Sequence, residues 1–462
     1  MNSDTFPFLD RNKERTRIAN ALNRNTPQLI VLYGRRRCGK SRLLCEMLNP
    51  DKDIYYHADR TDSSHQIELF AHQASTIYDG FDKVIYPDWE TLLLNINNRM
   101  QSRHVVCIDE FPYLVKSEPS LPSILQRLID TKKINFDIIL CGSSQQMMNS
   151  VVISSSSPLY GRADEVLKIN PLQPHYIKDA LGIDGKSAVE EYAVWGGVPR
   201  YWELRHRHSS LKETLLSDVM NSDGIMYDEP SRLFMDEMRD AELSSSILAL
   251  VGNGCNRLSE IAARLERPAT SLTGTINRLI TYGYLIRETP FSDSPKNSKR
   301  SLYKIGDPFL NFYFHYVSPN RSQIEFGRHD KIESLLDTTF PSFVAETWEQ
   351  LCRRAVPMIE IDGLTFQAAG RWWGSVGKTD HIEIDVVSES TDKSALLVGE
   401  CKWTTGEDAN RLSSGLIQKA SKLPFLKGRK IIPILFLKER HKNIRTSETM
   451  CLYPDDIISL LQ

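Results

Sequence analysis

The stretch that most constrains this chain is Gly34-Arg35-Arg36-Arg37-Cys38-Gly39-Lys40-Ser41, which matches the pattern GxxxxGK[ST]. Before it runs Gln28-Leu29-Ile30-Val31-Leu32-Tyr33, an apolar segment that reads as a buried parallel strand. After it, Arg42-Leu43-Leu44-Cys45-Glu46-Met47-Leu48 has the apolar spacing of a helix. Strand, glycine loop and helix in this order aim backbone N–H groups and a helix N-terminus at phosphate. The pattern predicts a nucleotide site over residues 34–42, with ATP and Mg²⁺ as cofactors. Lys40 is expected on the β- and γ-phosphates and the Ser41 hydroxyl on the metal.

The rest of the first third agrees with that site. Four apolar residues ending in two acids, Val105-Val106-Cys107-Ile108-Asp109-Glu110, place both carboxylates at the C-terminal edge of a strand. Asp109 is expected to hold Mg²⁺ through water, and Glu110 to polarise an attacking water as general base. A further buried strand, Phe136 to Cys141, runs into Gly142-Ser143-Ser144-Gln145. Ser143 is there either a sensor of the γ-phosphate or a plain helix N-cap. In Leu159-Tyr160-Gly161-Arg162, the arginine either contacts phosphate, in its own chain or across a homo-oligomer interface, or makes a surface salt bridge.

At 462 residues the chain is too long for one ordinary core, so two to four domains are expected. The formal net charge of −2 gives no global attraction to nucleic acid, so any such binding must come from local patches. The N-terminus lacks a signal-peptide apolar region. No apolar run approaches membrane-spanning length. The eight cysteines are scattered without a CxxC pair, which points to a reduced, cytoplasmic setting without membrane partners. Cys38, inside the phosphate loop, is a candidate for oxidation sensing.

The order Phe8-x-x-Arg11-x-x-Glu14, GRRRCGKS, Ile108-Asp109-Glu110, Cys141-Gly142-Ser143-Ser144, Leu159-Tyr160-Gly161-Arg162 and Trp195-Gly196-Gly197-Val198-Pro199 resembles the archaeal-type ATPase family, related to AAA+ and STAND ATPases. The resemblance implies a lid of short helices over residues 172–235, with Pro199 near the nucleotide.

Residues 241–253, Leu258 to Leu265 and Ser271 to Tyr282 read as three helices, followed by two short strands around a Ser-, Pro-, Asn- and Lys-rich loop. That is a winged helix. The exposed positions of its last helix (Ser271, Thr273, Asn277, Arg278) offer one positive charge, and the wing offers Lys296, Lys299 and Arg300 for phosphates. Direct DNA contact and a purely structural coupling role are both open. The aromatic run Phe309 to Tyr316 reads as a packed connector.

Further on, a helix over Phe343 to Val356 carries Glu346 and Glu349. Two strands follow, His381 to Val387 and Ala395 to Trp403. Glu400 and Lys402 share one strand face, and a hairpin brings Asp385 next to Glu400. Such carboxylates would hold a divalent metal, with Lys402 orienting or deprotonating the attacking water. The set resembles the PD-(D/E)xK nuclease superfamily, which implies Glu349 (or Glu346) as the helical acid and Asp385 and Glu400 as metal ligands. Charged residues that pair only among themselves are the alternative. Gln418 and Lys419 read as a solvated helical face or as phosphate contacts.

The expected fold is α/β: a P-loop parallel sheet (1–171), a helical lid (172–235), an α+β winged helix (236–306) and a C-terminal α/β restriction-endonuclease-like domain (307–462). The expected function is an ATPase that couples nucleotide state to a Mg²⁺-dependent DNA nuclease, in DNA processing or defence, with hydrolysis releasing the lid and moving the winged helix and nuclease domain as rigid bodies. The alternative is an ATP-driven switch that binds DNA or protein through a non-catalytic C-terminal domain.

Overall fold

The computed structural model describes residues 6–143, 145–238, 240–294, 298–376, 380–440 and 449–462. The chain divides into two compact units. One holds Phe8–Pro171 with Met235–Glu237; the other holds the residues before Phe8, Leu172–Phe234 and Met238–Gln462.

The first unit is built on a five-stranded parallel sheet: β1 (Leu29–Tyr33), β2 (Ile54–His57), β3 (Val105–Asp109), β4 (Asp137–Gly142) and β5 (Glu165–Lys168), in the order β2-β3-β4-β1-β5. β3 and β4 are buried throughout, as strands covered by helices on both faces must be. Helix α1 (Asn12–Leu22) and helix α2 (Lys40–Met47) contribute Ile18, Leu43 and Leu44 to the core on one face. The helices Ser63–Ser75, Trp89–Arg99 and Leu121–Asp130 supply Phe70, Trp89 and Leu125 to the core on the other. All crossovers being parallel, the loops after β1, β3 and β4 gather at one edge of the sheet. The three acidic and phosphate-loop motifs meet there.

In the second unit, short helices beginning with Pro174–Leu181 open the chain's path. The segment Trp195-Gly196-Gly197-Val198-Pro199 has a local explanation. Gly196 takes a positive φ of 55° to stop the helix Gly185–Trp195. The Gly197 carbonyl accepts from the Leu172 N–H at 2.7 Å, and a Cβ on Gly197 would overlap the Leu172 backbone. Pro199 opens the helix Pro199–Arg205 at a position whose N–H needs no partner.

The winged helix comprises α3 (Ala241–Gly252), α4 (Leu258–Arg264), α5 (Ala269–Thr281) and the antiparallel hairpin β6 (Leu285–Glu288) and β7 (Leu302–Ile305). The aromatics Phe309, Phe312, Tyr313, Phe314 and Tyr316 are buried, as a packed connector requires. Helix α6 (His329–Ala355) starts fourteen residues before the sequence pattern indicates and carries Pro341 inside it. It leads into a mixed sheet of β8 (Gly370–Val376), β9 (Asp380–Glu389), β10 (Ala395–Lys402), β11 (Lys430–Leu437) and β12 (Met450–Leu452), in sequential order. β8, β9 and β10 form an antiparallel meander; β11 and β12 join parallel to β10 after helix α7 (Ala409–Ala420).

The lid segment and the C-terminal domain are tied by polar contacts. Lys178 pairs with Asp455 at 2.6 Å, His175 meets the Leu461 carbonyl at 3.0 Å, and Lys212 bridges Glu333 and Asp337. These contacts lie within one compact unit. No helix among the described residues is long and apolar enough to cross a membrane.

Because Gly197 touches the Leu172 backbone, Gly197→Ala is expected to destabilise the protein by about 1–3 kcal/mol, the usual range for overpacking. A thermal melt unchanged from wild type would show that the close approach has no energetic weight.

Candidate nucleotide site and acidic cluster

The phosphate loop takes its shape from three residues with positive φ: Gly34 (151°), Arg37 (66°) and Gly39 (85°). At Gly34 a Cβ would also collide with the Ile169 carbonyl of the neighbouring strand. Lys40 is 5% exposed, and its ammonium is held by the carbonyls of Gly34 (2.9 Å) and Arg35 (3.0 Å). Those weak acceptors are what a phosphate oxygen would replace. Ser41 faces solvent on the first turn of α2.

Asp109, at the tip of β3, is fully buried. Burial pushes its carboxyl up, but hydrogen bonds with His57, Ser41, Cys141 and Tyr55 outweigh it and hold the group well below the usual carboxylate range. The Tyr55 hydroxyl donates at 2.7 Å, and His57 Nδ1 lies at 3.7 Å. The bond to Asp109 raises the His57 pKa, and burial and Asp109 push the Tyr55 hydroxyl well up. The site thus pairs an ionised carboxylate with the Ser41 hydroxyl, the donor pair that a magnesium nucleotide takes from such a loop. Residues and ligand fit.

Glu110 sits in the left-handed region (φ 52°) at the start of the helix Phe111–Ser117. Its carboxylate accepts from the Ser143 hydroxyl at 2.9 Å and the Ser143 N–H at 3.3 Å. Ser143 therefore couples the ends of β3 and β4; Ser144 lies outside the described residues. Arg36 extends the network, donating to the Tyr113 hydroxyl at 2.6 Å and lying 3.4 Å from Ser143 Oγ. Arg60 reaches the same Tyr113 hydroxyl at 3.0 Å. Arg11 donates to the Cys38 carbonyl at 2.8 Å and pairs with Glu14 at 3.2 Å, so the motif upstream of the loop braces it from behind. Arg42 stacks over the Phe8 ring at 5.6 Å. Sequence reading missed Tyr55, His57, Tyr113 and Arg60; their one visible sign was position at strand ends and helix starts on the same sheet edge.

Arg162 precedes β5, whose first residue lies beside Ile30 near the start of β1. It therefore sits at the N-terminal edge of the sheet, roughly 15 Å of strand from the phosphate loop. There it makes a two-pronged ion pair with Asp130, both bonds 2.8 Å. This is the surface salt bridge expected as the alternative to a phosphate contact. Cys38 is 0% exposed and packs among Ile18, Leu32 and Leu43, which removes the accessibility an oxidation sensor needs. Pro199 lies in the second unit.

In the second unit, Asp385 on β9 faces Glu400 on β10: Val386 pairs with Gly399, and the Cys401 N–H donates to the Asp385 carboxylate at 2.9 Å. Burial first, then the negative charges of Glu349 and Glu400, raise the Asp385 pKa to about 6. The three acids are thus close enough to interact. They are turned elsewhere, however. Glu400 is paired with Lys402 (2.8 Å) and Lys419 (3.1 Å), and Glu349 with Arg353 (3.3 Å). Among the described residues no three acidic, histidine or cysteine side chains converge as metal ligands. The donor chemistry suits a hard cation, but this arrangement of Glu349, Asp385 and Glu400 does not form its cage. Lys419, expected on a solvated face or on phosphate, is spent on Glu400. Glu346 points away, into a separate cavity.

The wing is also not free. Glu288 at the end of β6 lies between Lys304 (3.2 Å), Arg371 (3.6 Å) and Arg353 (3.8 Å). Arg353 in turn donates to the Asp385 carbonyl at 2.8 Å. Arg300 pairs with Asp293 and donates to the Trp373 carbonyl, and Phe291 packs on Phe425. The wing thus grips the C-terminal sheet, and Arg300 is not available to phosphate as expected. Arg278, the cation of the last winged-helix helix, is paired with Asp240 at 2.6 Å. Lys299 is exposed, and Lys296 lies outside the described residues.

Because Asp385 binds its proton more tightly folded than unfolded, its contribution to stability falls as pH rises from about 4 to 6. A rise from the usual carboxylate value to about 6 corresponds to about 3 kcal/mol. Asp385→Asn removes that loss. Relative to wild type, the Asn variant should gain stability between pH 4.5 and 7.5 in chemical denaturation; parallel curves for the two proteins would refute the buried-acid arrangement.

A family model described as an ATPase domain predominantly from Archaea matches residues 8–201, and one described as archaeal and bacterial proteins of unknown function matches residues 313–413. An uncharacterized protein of Methanocaldococcus jannaschii is 31% identical over 409 residues, covering 87% of this chain and 88% of that protein. Among solved structures, a Walker-type ATPase of Pyrococcus abyssi is similar with a TM-score of 0.51 and 21% identity, over 68% of this chain and 97% of its own. That likeness concerns fold.

Proposed function

Since this chain belongs to the same family as the M. jannaschii protein and carries an archaeal-type ATPase domain, we propose that it hydrolyses ATP and uses nucleotide state to govern a C-terminal domain that cuts DNA. The buried Asp109 at the sheet edge, held by the Tyr55 hydroxyl at 2.7 Å next to the phosphate loop and its buried Lys40, is the observation that carries the ATPase reading. Lys40 exchanges the loop carbonyls for phosphate oxygens. Ser41 and Asp109 hold the metal side, and Glu110, aimed by Ser143, takes a proton from the attacking water. Bound Mg²⁺ supplies charge neutralisation on the phosphates. In this reading hydrolysis releases the lid and moves the winged helix and the C-terminal domain as rigid bodies.

Lys40→Ala and Glu110→Gln are expected to lower ATP turnover by about a hundredfold or more. Ser143→Ala lowers kcat while KM holds. Turnover by Lys40→Ala equal to wild type would sink the ATPase reading.

The nuclease reading is supported by the pairing of Asp385 with Glu400 across β9 and β10 and by Lys402 on the same face. The second reading, a domain that binds DNA or a protein without cutting, is favoured by one observation: both carboxylate oxygens of Glu400 are already occupied by lysines. Supercoiled, linear and branched DNA incubated with Mg²⁺ or Mn²⁺, with and without ATP, separates the two. Cutting that disappears in Lys402→Ala and responds to Lys40→Ala supports the nuclease. Absence of cutting alongside intact ATP turnover supports the binding module.

A further inference from the structure

Two arginines converge on one neutral oxygen beside the phosphate loop. Arg36, the third residue of the loop, donates through Nη2 to the Tyr113 hydroxyl at 2.6 Å. Arg60, which follows β2, donates to the same oxygen at 3.0 Å, and its guanidinium lies over the Tyr113 ring at 4.8 Å. A phenol oxygen carries no charge to offset two cations. Guanidinium groups gathered on one such acceptor repel each other, and an anion placed between them removes that repulsion.

Position matters as much as charge. Arg36 Nε lies 3.4 Å from Ser143 Oγ, and that hydroxyl donates to the Glu110 carboxylate at 2.9 Å. Arg36 is therefore one hydroxyl away from the group assigned to the attacking water. On its other side, the buried Lys40 ammonium rests on the carbonyls of Gly34 and Arg35, next to Arg36 in the chain. In-line attack sets the γ-phosphate between that lysine and the water. Arg36 borders this gap, is half-buried, and meets hydroxyl acceptors that a phosphate oxygen outcompetes. Arg162, by contrast, is tied to Asp130 at the opposite edge of the sheet.

We propose that Arg36 is a γ-phosphate ligand supplied by the chain's own loop, with Arg60 the second arm of the clamp and Tyr113 the residue that holds both before nucleotide arrives. The terminal phosphate of ATP draws the guanidinium groups off the phenol; ADP, lacking that phosphate, leaves them there. This specificity rests on the ATPase reading and gives it a means of telling ATP from ADP.

The test is isothermal titration of the full-length protein with ADP and with the non-hydrolysable ATP analogue adenylyl imidodiphosphate, both with Mg²⁺, alongside ATP turnover. Arg36→Ala is expected to weaken the analogue about tenfold or more while ADP affinity stays within about twofold, the loss of one charge-assisted contact to the terminal phosphate. Its kcat should fall about a hundredfold or more. Arg60 is exposed, so Arg60→Ala leaves the fold intact, and it should show the same selective loss at smaller size. A wild-type ratio of the two affinities in Arg36→Ala, or in Arg60→Ala should the loop variant not fold, would overturn the clamp and leave ATP hydrolysis by the wild type standing. Wild-type protein that neither binds these nucleotides nor turns over ATP would remove the ATPase reading and the clamp with it.

Discussion

The first unit depends on one buried negative charge. An ionised carboxylate at the centre of a sheet edge is tolerated only when its lone pairs are fully engaged. Asp109 is surrounded by donors from three separate segments: Tyr55 and His57 on β2, Ser41 on α2 and Cys141 on β4. Each bond that satisfies the charge also fixes the position of a strand end or of the phosphate loop. The same carboxylate therefore organises the sheet edge and prepares it for a cation beside Ser41. Arg11 and Arg36 repeat the logic at smaller scale, each tying a loop carbonyl or a neighbouring strand end to the phosphate loop.

The second unit is organised around the opposite arrangement, an acid among cations. Glu288 gathers Lys304, Arg353 and Arg371, which come from the wing, the long helix and the first strand of the C-terminal sheet. The hairpin is thereby held against the C-terminal sheet, and the cations Arg278 and Arg300 each have an acidic partner of their own.

Much of the fold was legible in the sequence, because it rests on local periodicity. The phosphate loop, the strand ending in Asp109-Glu110 and the hairpin carrying Asp385 and Glu400 stand out by their spacing alone. What sequence could not supply was partner choice. Whether Arg162 reaches phosphate depends on which end of β5 it precedes, and strand order settles that. Lys419 looks like any solvated helix residue until α7 packs on β10 and brings it to Glu400. The length of α6 was missed because its first turns lack apolar spacing and carry Pro341, a residue that ordinarily ends a helix.

The two acidic sites differ in how their charge is satisfied, and that difference bears on what each can do. Asp109 is held by hydroxyl, thiol and imidazole donors, of which the tyrosine, serine and cysteine groups carry no charge to compete with a cation. Glu400 is held by two ammonium groups, and a cation arriving there must displace charge of its own sign. The first site is ready as it stands. The second already has both carboxylate oxygens of Glu400 engaged by lysines, which is why Glu349, Asp385 and Glu400 do not converge as a cation cage.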